Sequence, residues 1–509
     1  MSSNPATADA VTSPVVIVGA GPTGVTSAIL LAQLGVPVVV LDRWADVYPQ
    51  PRAVHLDDEV FTILDRLGVA AEFTAISRPA LGLRLLDRDL RVLAEIDRGG
   101  LAPSSGYPRA NMFDQPVLER VLRARMHELP LVDFRGDVIV TDVAEVGDGY
   151  AVSYTDRTTG TGQTVGARFV LGCDGANSIV RQAVGATMQD LRFEQRWLVI
   201  DVTSEKTLDQ WEGVHQVCDS GRAATYMRVG ADRYRWEFQL RDGESAADYA
   251  TLDDVAPLIE PWTTESDTSG FELVRVAEYT FRAMIADRWR REGLFLLGDA
   301  AHLTPPFIGQ GMGAGLRDSM NLAWKLAGVL QGRLPEDVLD SYEPERKQHV
   351  DTIIRLAKLT GVVMTSGGRV GNALRRYLAP AALAVPRARR RIADSETAPL
   401  TRSDWINARR RDRLAGRLAP YATISRLNGG WSTDQPFRLI TTTELSYPVR
   451  HALEARGCRV IRVEASSPAG TWLGGGRARA ALVRPDGTVL MSAQTPSLVV
   501  NEAFRRFAC

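Results

Sequence analysis

Val15-Val-Ile-Val-Gly19-Ala-Gly-Pro-Thr-Gly24 is the stretch that decides how this chain folds. Its four apolar residues have the length and texture of a buried strand, and they run straight into G-x-G-x-x-G. A helical pattern follows through Ala28, Leu30, Leu31 and Leu34 and ends at Gly35. Val38-Val-Val-Leu41 then reads as a second strand, with Asp42 at its end. A glycine fingerprint by itself is a weak signal. Set inside strand, turn, helix and strand, with an acid about 20 residues on, it predicts a dinucleotide-binding unit. Asp42 is placed to accept hydrogen bonds from an adenosine ribose.

The same theme returns twice. Gly293-Leu-Phe-Leu-Leu-Gly-Asp-Ala-Ala-His302 is a short apolar run that stops at Gly298-Asp299. Glycine there lets the backbone approach a ligand, and the aspartate offers acceptors to sugar hydroxyls. Thr304-Pro-Pro-Phe-Ile-Gly-Gln-Gly-Met-Gly-Ala-Gly315 packs two prolines and four glycines into a loop that enters a helical pattern through Leu316, Met320, Ala323, Trp324 and Ala327. Such a loop presents free N–H groups and the positive end of a helix dipole to an anionic or electron-rich group. In the middle of the chain, Ala167-Arg-Phe-Val-Leu-Gly-Cys-Asp-Gly-Ala-Asn-Ser-Ile-Val-Arg181 closes a strand on Asp174 and continues into a helix near residues 178–184.

At 509 residues the chain calls for two or three domains. Hydrophobic residues make up 45% and charged residues 24%, as in an ordinary soluble protein. The net charge of -1 argues against a nucleic-acid binder or a general membrane-surface protein. The basic clusters at residues 387–391 and 409–413 read as solvated helix faces. Four cysteines without C-x-x-C, and six histidines without H-E-x-x-H, support neither a thiol redox centre nor a metal site. No signal peptide precedes the first strand, and no apolar stretch reads as a membrane span, so the expected location is cytoplasmic.

Between the second and third turns the texture changes. Trp197-Leu-Val-Ile-Asp-Val202, Ala224-Thr-Tyr-Met-Arg-Val229, Tyr234-Arg-Trp-Glu-Phe-Gln-Leu240 and Glu272-Leu-Val-Arg-Val276 alternate with period two. They predict an antiparallel sheet with one covered face, inserted between halves of the dinucleotide-binding fold. Residues 80–97 alternate similarly, and Asp114 with Pro116 opens a helix as N-cap and first-turn proline. Helical pattern runs to about residue 395, with breaks expected at Pro335, Pro344, Gly367-Gly368 and Pro386. Asn428-Gly-Gly430 marks a boundary before a small α/β unit with strands near 437–440, 458–463 and 480–483, a helix near 448–456 and a turn at Pro485-Asp-Gly487.

With three such motifs in this order, the chain resembles the class A flavoprotein monooxygenases of the para-hydroxybenzoate hydroxylase fold. It is most similar to the 3-(3-hydroxyphenyl)propionate hydroxylase and polyketide hydroxylase branch. The resemblance rests on Gly19-Ala-Gly-Pro-Thr-Gly24, on Cys173-Asp-Gly-Ala-Asn-Ser-Ile-Val-Arg181, and on Gly298-Asp-Ala-Ala-His302 through Gly309-Gln-Gly311 to Arg317-Asp-Ser-Met-Asn-Leu-Ala-Trp-Lys325. Pro51-Arg-Ala53 and Gln115-Pro116 fit it too. It implies an α/β fold: a Rossmann-type FAD-binding domain from residues 1–79, 110–190 and 282–395, a substrate-binding β-sheet domain from 80–109 and 191–281, and a thioredoxin-like domain at 396–509. Two positions depart from the family: Asp42 stands where Glu is usual, and Gly313 where many relatives carry Asn.

Carried onto this sequence, the resemblance gives Gly19, Gly21 and Gly24 to the FAD pyrophosphate and Asp42 to the adenosine ribose, and counts Arg43 among the cofactor-binding residues. Arg52, Gln115 and Asp174 contact the cofactor, and Asp299 binds the ribitol. The loop with Gly309, Gly311, Met312 and Gly313 faces the isoalloxazine. NADH or NADPH would reduce the flavin transiently, and O₂ would form a C4a-hydroperoxide that hydroxylates a phenolic or polycyclic aromatic ring. Candidate catalytic residues are Tyr226, His215 and Pro305; candidate substrate contacts are Gln216, Arg222, Arg235 and Trp236. Arg222 or Arg235 would pair with a substrate carboxylate or, as the stronger expectation for either, form salt bridges within the sheet. Epoxidation and Baeyer–Villiger oxygenation share this fold and stay open, whereas the Trp-x-Trp-x-Ile-Pro stretch of flavin halogenases is missing. A non-catalytic nucleotide-binding module would have lost the second and third motifs, and both are intact. The partner is a small aromatic molecule, with a homodimer one oligomeric state open to such a chain.

Overall fold

The computed structural model describes residues 13–49, 52–263, 268–365, 398–400, 403–407, 412–425 and 436–507. Pro51, the breaks at Gly367-Gly368 and Pro386, the basic cluster at 387–391, most of that at 409–413 and the Asn428-Gly-Gly430 boundary lie outside the described residues.

The strand Ser13–Val18 sits in the middle of a sheet, parallel to Val38–Leu41 on one side and to Gly162–Gly172 on the other. Leu294–Leu296 adds in parallel beyond Gly162–Gly172. Val15, Val16 and Ile17 are fully buried, as an apolar run between two covered faces must be. The register aligns Val18 with Gly172, and Gly172 with Leu296. Three turns far apart in sequence therefore leave the carboxyl ends of adjacent parallel strands, the edge at which an open α/β sheet binds its ligands. The helices Pro22–Gln33 and Gly311–Leu330 run from the first and third turns and lock together through small residues. Ser27 donates to Ser319 (2.8 Å), and Ser319 donates to the Thr23 carbonyl (3.0 Å).

A second eight-stranded sheet takes strands from residues 302–303, 272–286, 188–203, 233–239, 224–228, 214–217, 82–86 and 92–97, in that order. All neighbours are antiparallel except Val214–Val217 against Gly82–Leu86. The expected strands at 197–202 and 272–276 are the tips of longer ones, Met188–Thr203 and Glu272–Ala286. These pair from Met188 with Ala286 to Thr203 with Glu272, so the ladder runs through residues 190 and 281, where the sequence reading drew domain boundaries. Asp114 does precede the helix Gln115–His127, but its carboxylate caps nothing; it pairs with Arg233 at 2.6 Å. A stronger charge partner from the second sheet has displaced the backbone N–H.

The C-terminal part is a four-stranded sheet in the order 458–462, 437–441, 480–483, 489–493, with helices Tyr447–Glu454 and Pro496–Arg506. Gly487 takes φ +86° in the Pro-Asp-Gly turn. This unit docks on the first through a buried charge cluster. Glu345 accepts from Arg484 (2.8 and 3.0 Å), Lys325 (3.0 Å) and Asn321 (2.7 Å). Burial pushes the Lys325 ammonium down to about 8, and Glu345 opposes this. Among the described residues no helix is long and apolar enough to cross a membrane.

Candidate functional site

The fingerprint loop shows why its residues are glycines. Gly19 takes φ +99°, and a Cβ there would overlap the Cys173 carbonyl at the second turn. A Cβ at Gly24 would overlap the Gly19 carbonyl, because the helix must start hard against the loop. At Gly21 the same construction meets nothing within 4 Å, so the loop's middle faces an open groove. Asp42 accepts from the Ala20 N–H (2.5 Å) and the Trp44 N–H (2.8 Å), so it fixes the loop and presents a carboxylate at one end of the groove. Buried Arg123, unflagged in the sequence reading, donates to the carbonyls of Ala45 (2.8 Å) and Ala20 (3.2 Å). Arg43 is exposed and offers its carbonyl to Arg157.

Asp174 accepts from the N–H groups of Ile179 (2.7 Å) and Val180 (3.3 Å) through one oxygen, while its buried second oxygen has no protein partner. Burial raises its pKa. Arg181 crosses from this turn to the third and donates to the Ala300 carbonyl (3.0 Å). Asp299 lies 3.7 Å from the Arg52 guanidinium. It is enclosed by protein but open at its outer edge; burial raises its pKa against the pull of His302 and Arg52. The N–H groups of Arg52 and Ala53 both donate to Gln115 Oε1 (3.0 and 2.5 Å). Arg52, Gln115 and Asp299 thus meet from three distant segments.

Behind the third turn lies a buried network. Asp318 accepts from the Gly298 N–H (3.0 Å), from His302 Nε2 (2.8 Å) and from Arg346 (2.8 Å). The loop itself is braced on Asp57, which accepts from Gln310 (2.8 Å) and Arg317 (2.6 Å). A Cβ at Gly313 would lie 2.9 Å from both Arg317 Nη1 and Val60 Cγ2, so the family's Asn would require both to move. Gly309 rests against His55, whose buried imidazole is pushed down to about 4, first by burial and then by Arg98. Gly311 is nearly open, Met312 packs against the core, and Pro305 is buried just before the turn Pro306–Ile308. His55 and Asp57 carry no signal of their own in the sequence, and Asp318 stands out only as part of the motif Arg317-Asp-Ser-Met-Asn-Leu-Ala-Trp-Lys325. An open groove past Gly21, carboxylates near either end and an unpaired Asp174 oxygen between them fit an extended dinucleotide with sugar hydroxyls.

The second sheet sorts the remaining candidates by face. Residues directly paired across a sheet point the same way. His215 pairs with Tyr226, and Tyr226 with Trp236. All three point to the helix Leu252–Thr263: Trp262 donates to His215 Nδ1 (3.2 Å) and stacks near Tyr226. This corrects the expectation that Tyr226, His215 and Trp236 line the site. They are the core of the sheet's outer side; burial raises the Tyr226 phenol and pushes His215 down to about 4. Arg222 is also elsewhere, engaged by Glu244 and Tyr249. Gln216 and Arg235 face inward. Gln216 donates to the Phe307 carbonyl (2.8 Å) at the start of the glycine-rich loop. Arg235 is bidentate to Asp201 (2.7 and 3.0 Å) and touches the Arg52 carbonyl (3.2 Å), so it is spent on a salt bridge within the sheet.

Comparison with known proteins agrees with this geometry. The family described as FAD binding domain matches residues 12–357. The chain is 39% identical over 354 residues to a probable NADH-specific resorcinol 4-hydroxylase of Rhodococcus jostii (strain RHA1), covering 69% of this chain and 65% of that protein. It is 33% identical over 394 residues to a 3-(3-hydroxy-phenyl)propionate/3-hydroxycinnamic acid hydroxylase of Mycobacterium sp. (strain JLS), covering 76% of this chain and 66% of that one. The matches thus span just under two thirds of these relatives' length. In fold the chain is similar to aklavinone-11 hydroxylase, solved with FAD and aklavinone (TM-score 0.79, 22% identity, 98% of this chain and 99% of that one). The chain belongs to the FAD-binding-domain family, that of the class A flavoprotein monooxygenases which its three turns resemble.

Proposed function

We propose that this chain is an FAD-dependent hydroxylase of a phenolic or polycyclic aromatic ring, using NADH or NADPH and O₂. The observation that carries the reading is the convergence of Asp42, Asp174 and Asp299 on one groove, with the polar inner face of the second sheet set against the glycine-rich loop. Bound FAD would supply the chemistry: it takes a hydride from the nicotinamide, activates O₂ and delivers one oxygen atom to the ring. The chain's part is to hold the cofactor at Asp42 and Asp299, to brace the loop through Asp57 and Arg317, and to shelter the space between loop and sheet from water. Both relatives named above are called hydroxylases of ring-hydroxylated compounds, and the first NADH-specific, which favours NADH here. No observation favours epoxidation or ring expansion. A cytoplasmic location and a homodimer accompany the reading as expectations.

The test is substrate-stimulated NADH oxidation across a panel of phenols and fused polyphenols, with product mass. A gain of one oxygen atom supports the proposal; peroxide as the only product with every compound counts against it. Asp299→Ala is expected to lose bound yellow cofactor. A fully flavinated variant would overturn the role given to that carboxylate.

A further inference from the structure

The inner face carries two acceptors that the protein leaves unused. Gln216, Thr225, Glu237 and Val199 form one row across four neighbouring strands. Gln216 is 3% exposed; its amide N–H₂ donates to the Phe307 carbonyl, and its amide oxygen has no partner. Glu237, half-buried, accepts no hydrogen bond from any described residue. Its place is framed on two sides. Two residues along the strand, Arg235 reaches the Arg52 carbonyl, and Arg52 lies beside Asp299. On the other side Gln239 pairs with Trp197, and Trp197 packs on Phe307 at 5.5 Å between centroids. The carboxylate is thus central between the cofactor groove and the glycine-rich loop. Only the Gln216 oxygen is fully buried; the Glu237 carboxylate, two strands away across Thr225, is half-buried, and two unused acceptors in one row point to a ligand that brings hydroxyls.

We propose that Glu237 takes the proton from a ring hydroxyl of the bound substrate, while the Gln216 amide oxygen accepts a hydrogen bond from the ring's other polar substituent. The inference rests on the hydroxylase reading above. In the step, the phenol O–H bond breaks, a carboxyl O–H bond forms on Glu237, and the negative charge passes to the phenolate, which is the more electron-rich ring. Burial raises the Glu237 pKa towards that of a phenol, with Asp201 adding and Arg235 and Arg275 opposing. That narrows the gap proton transfer must cross. The charged and titratable groups around it are Arg235 on its own strand and Asp201, Arg275 and Tyr279 on the neighbouring long strands, with Arg52 reached through its carbonyl by Arg235.

The experiment uses flavinated wild type, Glu237→Gln and Glu237→Asp with resorcinol as probe. It reads product formation against pH, bound FAD, and NADH oxidation without substrate. Glu237→Gln is expected to keep its FAD and its substrate-free oxidation, to lose ~10²–10⁴-fold in hydroxylation, and to lose the acidic limb of the kcat/KM profile. Glu237→Asp is expected to restore the limb at a shifted pH. It also decides the matter should the glutamine variant fail to fold, since an unshifted limb in it overturns the proposal. A glutamine variant within threefold of wild type and with the same profile overturns the proposal alone. Wild type that hydroxylates no phenol overturns the hydroxylase reading, and the inference with it.

Discussion

The two faces of the second sheet contrast sharply, although the same strands build both. The outer face is Leu198, Ile200, Val202, Tyr226, Tyr234, Trp236 and Phe238, packed on Val255, Ile259 and Trp262. The inner face is Gln216, Thr225, Glu237, Arg235, Asp201 and Arg275, with Asp201 and Arg235 less than 2% exposed. Ordinarily the apolar face of an antiparallel sheet is buried and the polar face is wet. Here the polar face is largely covered as well, with Asp201, Arg235, Gln216 and Thr225 buried and Glu237 and Arg275 half-buried, and it looks at the cofactor groove. Aromatic residues that invite a catalytic reading are packing. The charged residues Asp201, Arg235 and Arg275 form a salt-bridged cluster on the other face.

The largest effect that tests this contrast is on the inner face. Asp201→Ala leaves Arg235 and Arg275 buried without their carboxylate, and is expected to cost ~3–5 kcal/mol in chemical denaturation. A loss below ~1 kcal/mol would mean that water reaches this face. The outer face offers a pH test. His215 is held neutral with a folded pKa of about 4, against an ordinary value of 6.5. Above 6.5 neither state binds the proton and stability is unaffected; as pH falls from 6.5 to about 4 only the unfolded chain takes it, and stability drops. The loss attributable to this one histidine is at most about 3 kcal/mol. Stability of His215→Asn should therefore fall less steeply with acid than that of wild type; parallel curves would place the imidazole in water. The smallest effect is on turnover. Tyr226→Phe is expected to change hydroxylation less than about twofold, because the ring faces Trp262 and not the groove. A loss of a hundredfold would return Tyr226 to the site and collapse the distinction between the faces.

Much of the first sheet could be read from local pattern. Val15 to Gly24 carries its own strand, turn and helix start within ten residues, and steric demand at Gly19 and Gly24 admits no other residue. Asp42, Asp174 and Asp299 were legible for the same reason: each ends an apolar strand with a glycine beside or just before it in the chain, or a fingerprint about 20 residues back. His55, Asp57 and Asp318 carry no such mark. Their importance comes from partners 16 to 260 positions away.

What the sequence determined alone is the strands of the first fingerprint, the three glycine-and-acid turns, and the alternation that divides the recognised inserted strands into two sets of side chains, though not where those strands end. Period and sterics are local, so they survive without neighbours. Which set faces the cofactor was decided only by tertiary structure. Alternation is symmetric under exchange of faces, and it is the docking of Leu252–Thr263 on one side and of the Phe307 turn on the other that breaks the symmetry.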